Sequence, residues 1–424
     1  MSDADAPAPG LLRQVGLPYF VIAFIARLPF AMMVVGVLTL VVSARGSLSL
    51  GGLNSAAVGL GTACFGPLLG AASDRFGQRP VLLTVGIANG IVLAGFAWLV
   101  YSPVPDAVML VGAFLIGATA PQVAPLSRAR LVTIIALRID RRRRERVFNS
   151  TMAYESAADE TVFVFGPFIV GILASLLSPW APLVGAAVLT VVFVSAFALH
   201  PTAPPAQTRS HGTTAGPVSE LFRPALVVVV VGILGVGFFF GAMLTALTAF
   251  MEDRGISEQA GLLYGVMGIG SASLALGVAV FPERFTRAWR WLSFGAVIFV
   301  GSLALPFVSG IGGMAVVLAI MGLGIGPTLV TQYSIGAERS PVGRSSTVMA
   351  ILGSAVIVGQ SLSSAVTGEL AQRFGTPAAL IAPIVSAAVV VAAGVANLVL
   401  SRSAQVLAQT QPSGNVPDSR NAAS

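Results

Sequence analysis

Three acids fall in one otherwise apolar stretch of this chain: Glu155, Asp159 and Glu160, within residues 149–177. A carboxylate among apolar side chains can exchange a proton, or it can pair permanently with a base. On a helix Glu155 and Asp159 share a face, while Glu160 is turned about 100° away. A base is available in Arg27, the one charge in the apolar residues 17–43. If both stretches begin at the same membrane face, Arg27 and Asp159 each lie about ten residues, roughly 15 Å, from it. An isolated charge at that depth costs several kcal/mol, so the acids should face a bundle interior and meet Arg27. Three roles stay open: a proton-exchanging site, a structural ion pair joining the first helix to the fifth, and direct substrate binding.

The elements that position these groups follow from composition. The chain has 424 residues, of which 55% are hydrophobic and only 10% charged, with a mean hydropathy of +0.89. Soluble proteins carry about 25% charged residues, so this is an integral membrane protein. A spanning helix needs about 20 apolar residues. Such runs occupy residues 17–43, 52–73, 80–101, 107–127, 149–177 and 180–199, then 224–250, 259–281, 289–308, 312–333, 345–370 and 377–400. They predict an all-α membrane protein of twelve transmembrane helices in two six-helix bundles, 17–199 and 224–400. A linker at 200–223, rich in Pro, Thr, Ser and Gly, joins the bundles, and the polar tails 1–16 and 401–424 read as disordered. Pro121 and Pro125 predict a bent fourth helix. Residues 128–146, with eight Arg, read as a surface helix on the lipid headgroups. His200 and His211 read as solvated loop residues.

The formal charge is +7 and all 24 basic residues are Arg. They sit in short loops and at helix ends, which is a topology signal and not a nucleic-acid surface. Only Arg45, Arg254 and Arg373 fall in loops on the opposite side, so both termini are expected in the cytoplasm, at the plasma membrane. No nucleotide-binding loop, metal-ligand cluster or nucleophile beside a base is visible, so neither an enzyme nor a cofactor or metal is expected. The expected partners are the lipid bilayer, protons and a small-molecule substrate, with the chain a monomer.

Residues 70–80, GAASDRFGQRP, lie between the second and third runs. Gly70 would let helix backbones approach, Gly77 would supply a turn with positive φ, and Asp74 would accept hydrogen bonds at the start of the next helix. The stretch resembles the loop motif of the major facilitator superfamily, G-x-x-x-D-R-x-G-R-R/K. Gly70, Asp74, Arg75, Gly77 and Arg79 match, and Gln78 stands where the family has a base. The halves also repeat: SDRFGQR at 73–79 faces PERFTRA at 282–288, the second copy reading as shape-holding. In this repeat the three acids fall opposite Leu352, Val356 and Ile357.

The resemblance implies two bundles rocking about a central site, with the 70–80 loop as a gate. Gly166-Pro167 with Gly171 partly resembles the helix-five signature of the superfamily's antiporters, which implies proton-coupled efflux of the drug-exporting type. By family analogy the first, fourth, seventh and tenth helices line the cavity. They offer Phe30, Met33, Gln122, Phe238, Phe239, Phe240, Met243, Thr331, Gln332 and Tyr333. Aromatics and Met suit a lipophilic or amphipathic compound, a drug or secondary metabolite, and not a sugar. The proton gradient would drive transport. The alternatives are a proton-coupled importer of a small metabolite and a transporter-like receptor that moves nothing.

Overall fold

The computed structural model describes residues 11–203, 216–256, 260–282 and 284–410. The remainder of both expected tails, the centre of the linker with His211, and the side chains of Glu160 and Pro167 lie outside the described residues. All regular structure among the described residues is helical. Ten segments are long and apolar enough to cross a membrane.

The first half comprises α1 (Leu11–Val15), α2 (Leu17–Ile25), α3 (Leu28–Arg45), α4 (Leu48–Phe76), α5 (Gln78–Leu99), α6 (Asp106–Ala118), α7 (Val123–Arg138), α8 (Arg141–Leu176), α9 (Ala181–Leu189) and α10 (Ser195–Leu199). A π-helical turn, Thr190–Val194, joins α9 to α10. The second half comprises α11 (Pro224–Glu252), α12 (Ala260–Gly277), α13 (Arg287–Ser302), α14 (Ile311–Glu338), α15 (Ser345–Phe374), α16 (Thr376–Ala379) and α17 (Ile381–Thr410). Helices α8 and α12 occupy the places of the expected fifth and eighth runs.

Two breaks have sequence causes. The first run divides at Ala26–Arg27 because Pro29 has no N–H to continue the ladder, and the Phe30 N–H donates to the Arg27 carbonyl instead. The fourth divides between Ala118 and Val123, around Pro121. The Asn89 side-chain amide steadies that break, donating to the Ile116 carbonyl at 2.9 Å and to the Thr119 hydroxyl at 3.0 Å.

Three expectations are corrected here. Residues 11–15 form α1, with Val15 buried, and residues 401–410 continue α17, where disordered tails were expected. Residues 128–146 do not form a surface helix. Their first part completes the fourth span as α7, with Arg128 and Arg130 buried. Their second part opens α8, where the Asp140 carboxylate caps the helix by accepting from the Arg142 N–H. Third, His200 is half-buried against the Tyr19 ring and bonded to the Thr202 hydroxyl at 2.9 Å.

Each half has its own core. In the first, one cluster packs Met32, Met33 and Val37 against Phe96 and Leu183. Another packs Tyr19 and Leu82 against Phe197. The second half packs α11 on α15 and α17 around Phe239, Met243 and Trp291. A fourth cluster spans the halves, joining Met152, Ala153 and Ala157 of α8 to Ala275 and Val330. The halves also meet where α4 runs along α15.

Candidate functional site

Arg27 sits in the α2–α3 break, where the open turn lets its guanidinium reach across to α8. There Nη2 pairs with the Glu155 carboxylate at 2.5 Å and Nη1 with Asp159 at 3.1 Å. The 155/159 spacing that puts both acids on one helix face is what permits this double contact. A second base joins them. Arg128 of α7 pairs through Nη2 with the other Asp159 oxygen at 2.5 Å. Its guanidinium also lies 3.9 Å from the centre of the Tyr333 ring, on α14 of the other bundle. Ser127 donates to Glu155 at 3.1 Å and meets the Tyr19 hydroxyl at 2.8 Å.

The result is a neutral group of two bases and two acids at the contact between bundles. Burial of these charges is tolerable only because each is paired. Glu155, Arg27 and Arg128 have side chains 0–3% exposed, whereas Asp159 is 18% exposed. Asp159 is therefore the member that solvent can reach. The Nε atoms of Arg27 and Arg128 have no hydrogen-bond partner among the described residues.

The 70–80 stretch lies at the end of the molecule that carries the linker. The Asp74 carboxylate does not bond to the next helix, α5, as its sequence position suggests. It reaches the other bundle, accepting from the N–H groups of Ser346 at 3.1 Å and Thr347 at 2.7 Å and from the Thr347 hydroxyl at 2.6 Å. Those are the second and third residues of α15, the two positions a helix-capping side chain satisfies. Gly77 has φ 88° and closes α4. Gly70 faces α15, where a Cβ would fall 2.6 Å from that of Ala350. Arg75 and Arg79 are exposed.

Gln78 is buried, donating to the Leu126 carbonyl at 3.2 Å and accepting from Nε of Arg130 at 3.0 Å. In the second repeat Arg287 also bridges the halves, pairing with Glu145 of α8 at 3.3 Å and with Glu338 at 2.8 Å. The corresponding loop thus does more than hold shape. Beside Arg130, burial lowers the proton affinity of the His200 imidazole below its ordinary value, and the Arg130 charge lowers it further.

The expected cavity set divides. Gln122 and Tyr333 lie where the bundles meet, Gln122 beside Gly66 and Ser354. Met33, Phe239 and Met243 are corrected to core positions inside their own bundles. Gln332 is likewise turned inward, beside Gly232 and Trp291. Phe30 and Phe240 are partly buried against the two cores, Phe238 is half-buried, and Thr331 is buried with its hydroxyl on the Pro327 carbonyl. Helical phase explains the error, because choosing a helix does not choose its face.

Gly166 serves packing, since a Cβ there would lie 2.5 Å from that of Ala31 on α3. Gly171 is exposed with open space around it. Helix α8 runs unbroken through Gly166-Pro167. Arg128, Ser127, Tyr19 and Arg130 were missed as site residues. For Ser127, Arg128 and Arg130 the only signal was their spacing in SRAR, which a basic loop mimics, and Tyr19 carried none.

Comparisons with known proteins agree with this architecture. The family model described as Major Facilitator Superfamily matches residues 19–363. Among solved structures, the human organic anion transporter MFSD10 (TETRAN) is 17% identical with a TM-score of 0.68, covering 92% of this chain and 100% of that one. The proton:xylose symporter XylE, bound to 6-bromo-6-deoxy-D-glucose, is 15% identical with a TM-score of 0.65, covering 89% and 94%. A bacterial homologue of the iron transporter ferroportin in an outward-facing state is 13% identical with a TM-score of 0.70, covering 91% and 98%. At these identities the structures show the fold alone. No curated protein matches the chain. With a family model spanning most of its length and the same helical fold throughout, this multi-pass integral membrane protein belongs to the major facilitator superfamily.

Proposed function

We propose that this chain is a proton-coupled secondary transporter that moves small lipophilic or amphipathic compounds by alternating access across the plasma membrane. Twelve spans, α8 and α12 included, would place both termini in the cytoplasm. The carrying observation is the buried group around Asp159, a carboxylate 18% exposed and held by two arginines from separate elements. Asp159 is the one charged member of the group open to solvent, and a buried acid that exchanges protons needs such access.

In this conformation the bundles are joined at the linker end by Asp74 on α15 and by Arg287 on Glu145. Rocking must undo both contacts. Asp159 would take a proton from the opposite side, and the bundles would then part at the linker end.

Efflux is the direction that the partial antiporter resemblance at Gly166-Pro167 supports. Uptake is a second reading, favoured by the pairing of each buried acid with arginine, which leaves no free negative charge for a cationic drug. The test is dye accumulation in cells with and without the chain, before and after collapse of the proton gradient. A gradient-dependent difference supports coupled transport. Equal accumulation under all conditions sinks it, and the sign of the difference gives the direction.

A further inference from the structure

The charge balance of the buried interior points to what the site carries. Among the described residues, the buried charged side chains within the spans are Arg27, Arg128, Arg130, Arg290 and Glu155, with Asp159 partly exposed. Arginine therefore outnumbers carboxylate four to two. Arg130 and Arg290 are committed elsewhere, Arg130 to Gln78 and the Phe197 carbonyl, Arg290 to the Phe285 and Pro282 carbonyls. Arg27 and Arg128 are the two that share the central acids, and each keeps an N–H without a partner.

Arg128 is the less committed of the pair. Arg27 holds Glu155 by the carboxylate and the backbone carbonyl, and Asp159 besides. The one acid paired with Arg128 is Asp159, and its other face is covered by the Tyr333 ring. Tyr333 belongs to the other bundle, so separating the bundles strips that cover and leaves Arg128 facing the gap. Protonation of Asp159 removes the compensating charge at the same place. The groups around Asp159 are Arg27 from the α2–α3 break, Arg128 from α7, Glu155 on its own helix, and Tyr333 over Arg128 from α14. Tyr154, earlier on α8, is the remaining titratable group within electrostatic reach of Asp159 among the described residues. With Asp159 neutral the group carries one net positive charge.

We infer that the substrate is an organic monoanion, a carboxylate or sulfonate on an apolar body, and that Arg128 binds its anionic head when Asp159 holds a proton. The planar guanidinium presents paired N–H donors to such a head, and Gln122 lies at the same seam. Proton and anion then bind together, because each supplies the charge that the other's binding requires. A cation would instead compete with the proton. The inference rests on the proton-coupled transport reading and takes its uptake branch, symport, over the efflux branch.

The test uses the full chain in proteoliposomes, with the sulfonate, sulfonamide and trimethylammonium derivatives of benzene, naphthalene and biphenyl as probes. The fixed charges of the sulfonate and ammonium probes prevent leakage as neutral acids or amines, and protein-free vesicles give the background. An inward proton gradient should drive at least one sulfonate inward about tenfold above its sulfonamide and ammonium counterparts. The same sulfonate should raise the thermal unfolding temperature more at pH 5.5 than at pH 7.5. Arg128→Gln should cut uptake at least tenfold, and Arg128→Lys should restore part of it. Gradient-driven movement of an ammonium or sulfonamide instead, or sulfonate uptake indifferent to Arg128→Gln, overturns the anion assignment and leaves coupled transport standing. No gradient-driven movement of any probe overturns both.

Discussion

Arg130 donates through Nε to Oε1 of Gln78, and both side chains are buried. The family's loop motif has a base at that position, and a base there would face the Arg130 guanidinium with no acid between them. Gln78 accepts from the arginine while its amide N–H caps the Leu126 carbonyl. Gln78→Arg should therefore destabilise the first bundle by about 3 kcal/mol, the scale of an uncompensated buried charge. Adding Arg130→Leu should recover most of that loss. Thermal unfolding of the purified variants measures both, and an unchanged melting temperature in Gln78→Arg refutes the account.

Asp74 fastens the bundles by capping α15, so its loss should loosen the linker end without preventing folding. Asp74→Asn keeps the shape but gives up the charge that favours the helix N-terminus, worth about 1 kcal/mol. In a Cys64→Ala background, a cysteine replacing Ala350 should react several-fold faster with a thiol reagent once Asp74 is Asn. Transport should fall while the protein is still made and inserted. Equal labelling rates, or a normal transport rate, would show that the cap does not gate.

Asp159→Asn removes the carboxylate proposed to carry the proton and leaves Arg27 and Arg128 against Glu155 alone. Gradient-driven transport should fall by roughly 10²-fold, with some loss of thermal stability. The double variant Asp159→Asn with Arg128→Gln restores neutrality, so stability should recover while gradient-driven transport stays lost. Recovered transport in the double variant would make Asp159 a structural partner and move the coupling acid to Glu155 or Glu160.

His200 offers a pH test outside the spans. Burial, then Arg130, lowers its proton affinity in the fold. The unfolded chain binds that proton more readily, near pH 6.5, so stability is lost as pH falls below that value. The imidazole is only half-buried, so the effect is small. His200→Gln should flatten the decline in melting temperature between pH 7 and pH 5. An identical decline in both proteins would rule His200 out as its source.

Much of this architecture is legible in the residues. The apolar runs give the helices, Pro29 and Pro121 give the breaks, and the 155/159 spacing gives a shared face for two acids. The less legible features are long-range. Asp74 and Thr347 are 273 positions apart, and no local rule says that a loop acid will cap a helix of the other half. Arg128 and Arg130 look like loop bases because charge counting places arginines outside the membrane. What reverses this is compensation by Asp159, Gln78 and the Phe197 carbonyl, none of them adjacent in sequence. The cavity set failed for Met33, Phe239 and Met243 because an apolar helix among other helices has no strong periodicity to orient it.

Where α4 meets α15, contact depends partly on side chains that are not there. A Cβ at Gly59 would fall 2.5 Å from the Ser361 hydroxyl, and one at Gly70 would fall 2.8 Å from the Ser346 carbonyl. If the bundles rock as proposed, the seam exists in only one of the two shapes, so bulk added there is felt in that shape and relieved in the other. Overpacking of this kind costs about 1–3 kcal/mol, and each 1.4 kcal/mol shifts a two-state ratio tenfold. One methyl group, in Gly70→Ala, is then a population lever: it would hold the molecule parted at the linker end and make the opposite shape the abundant one.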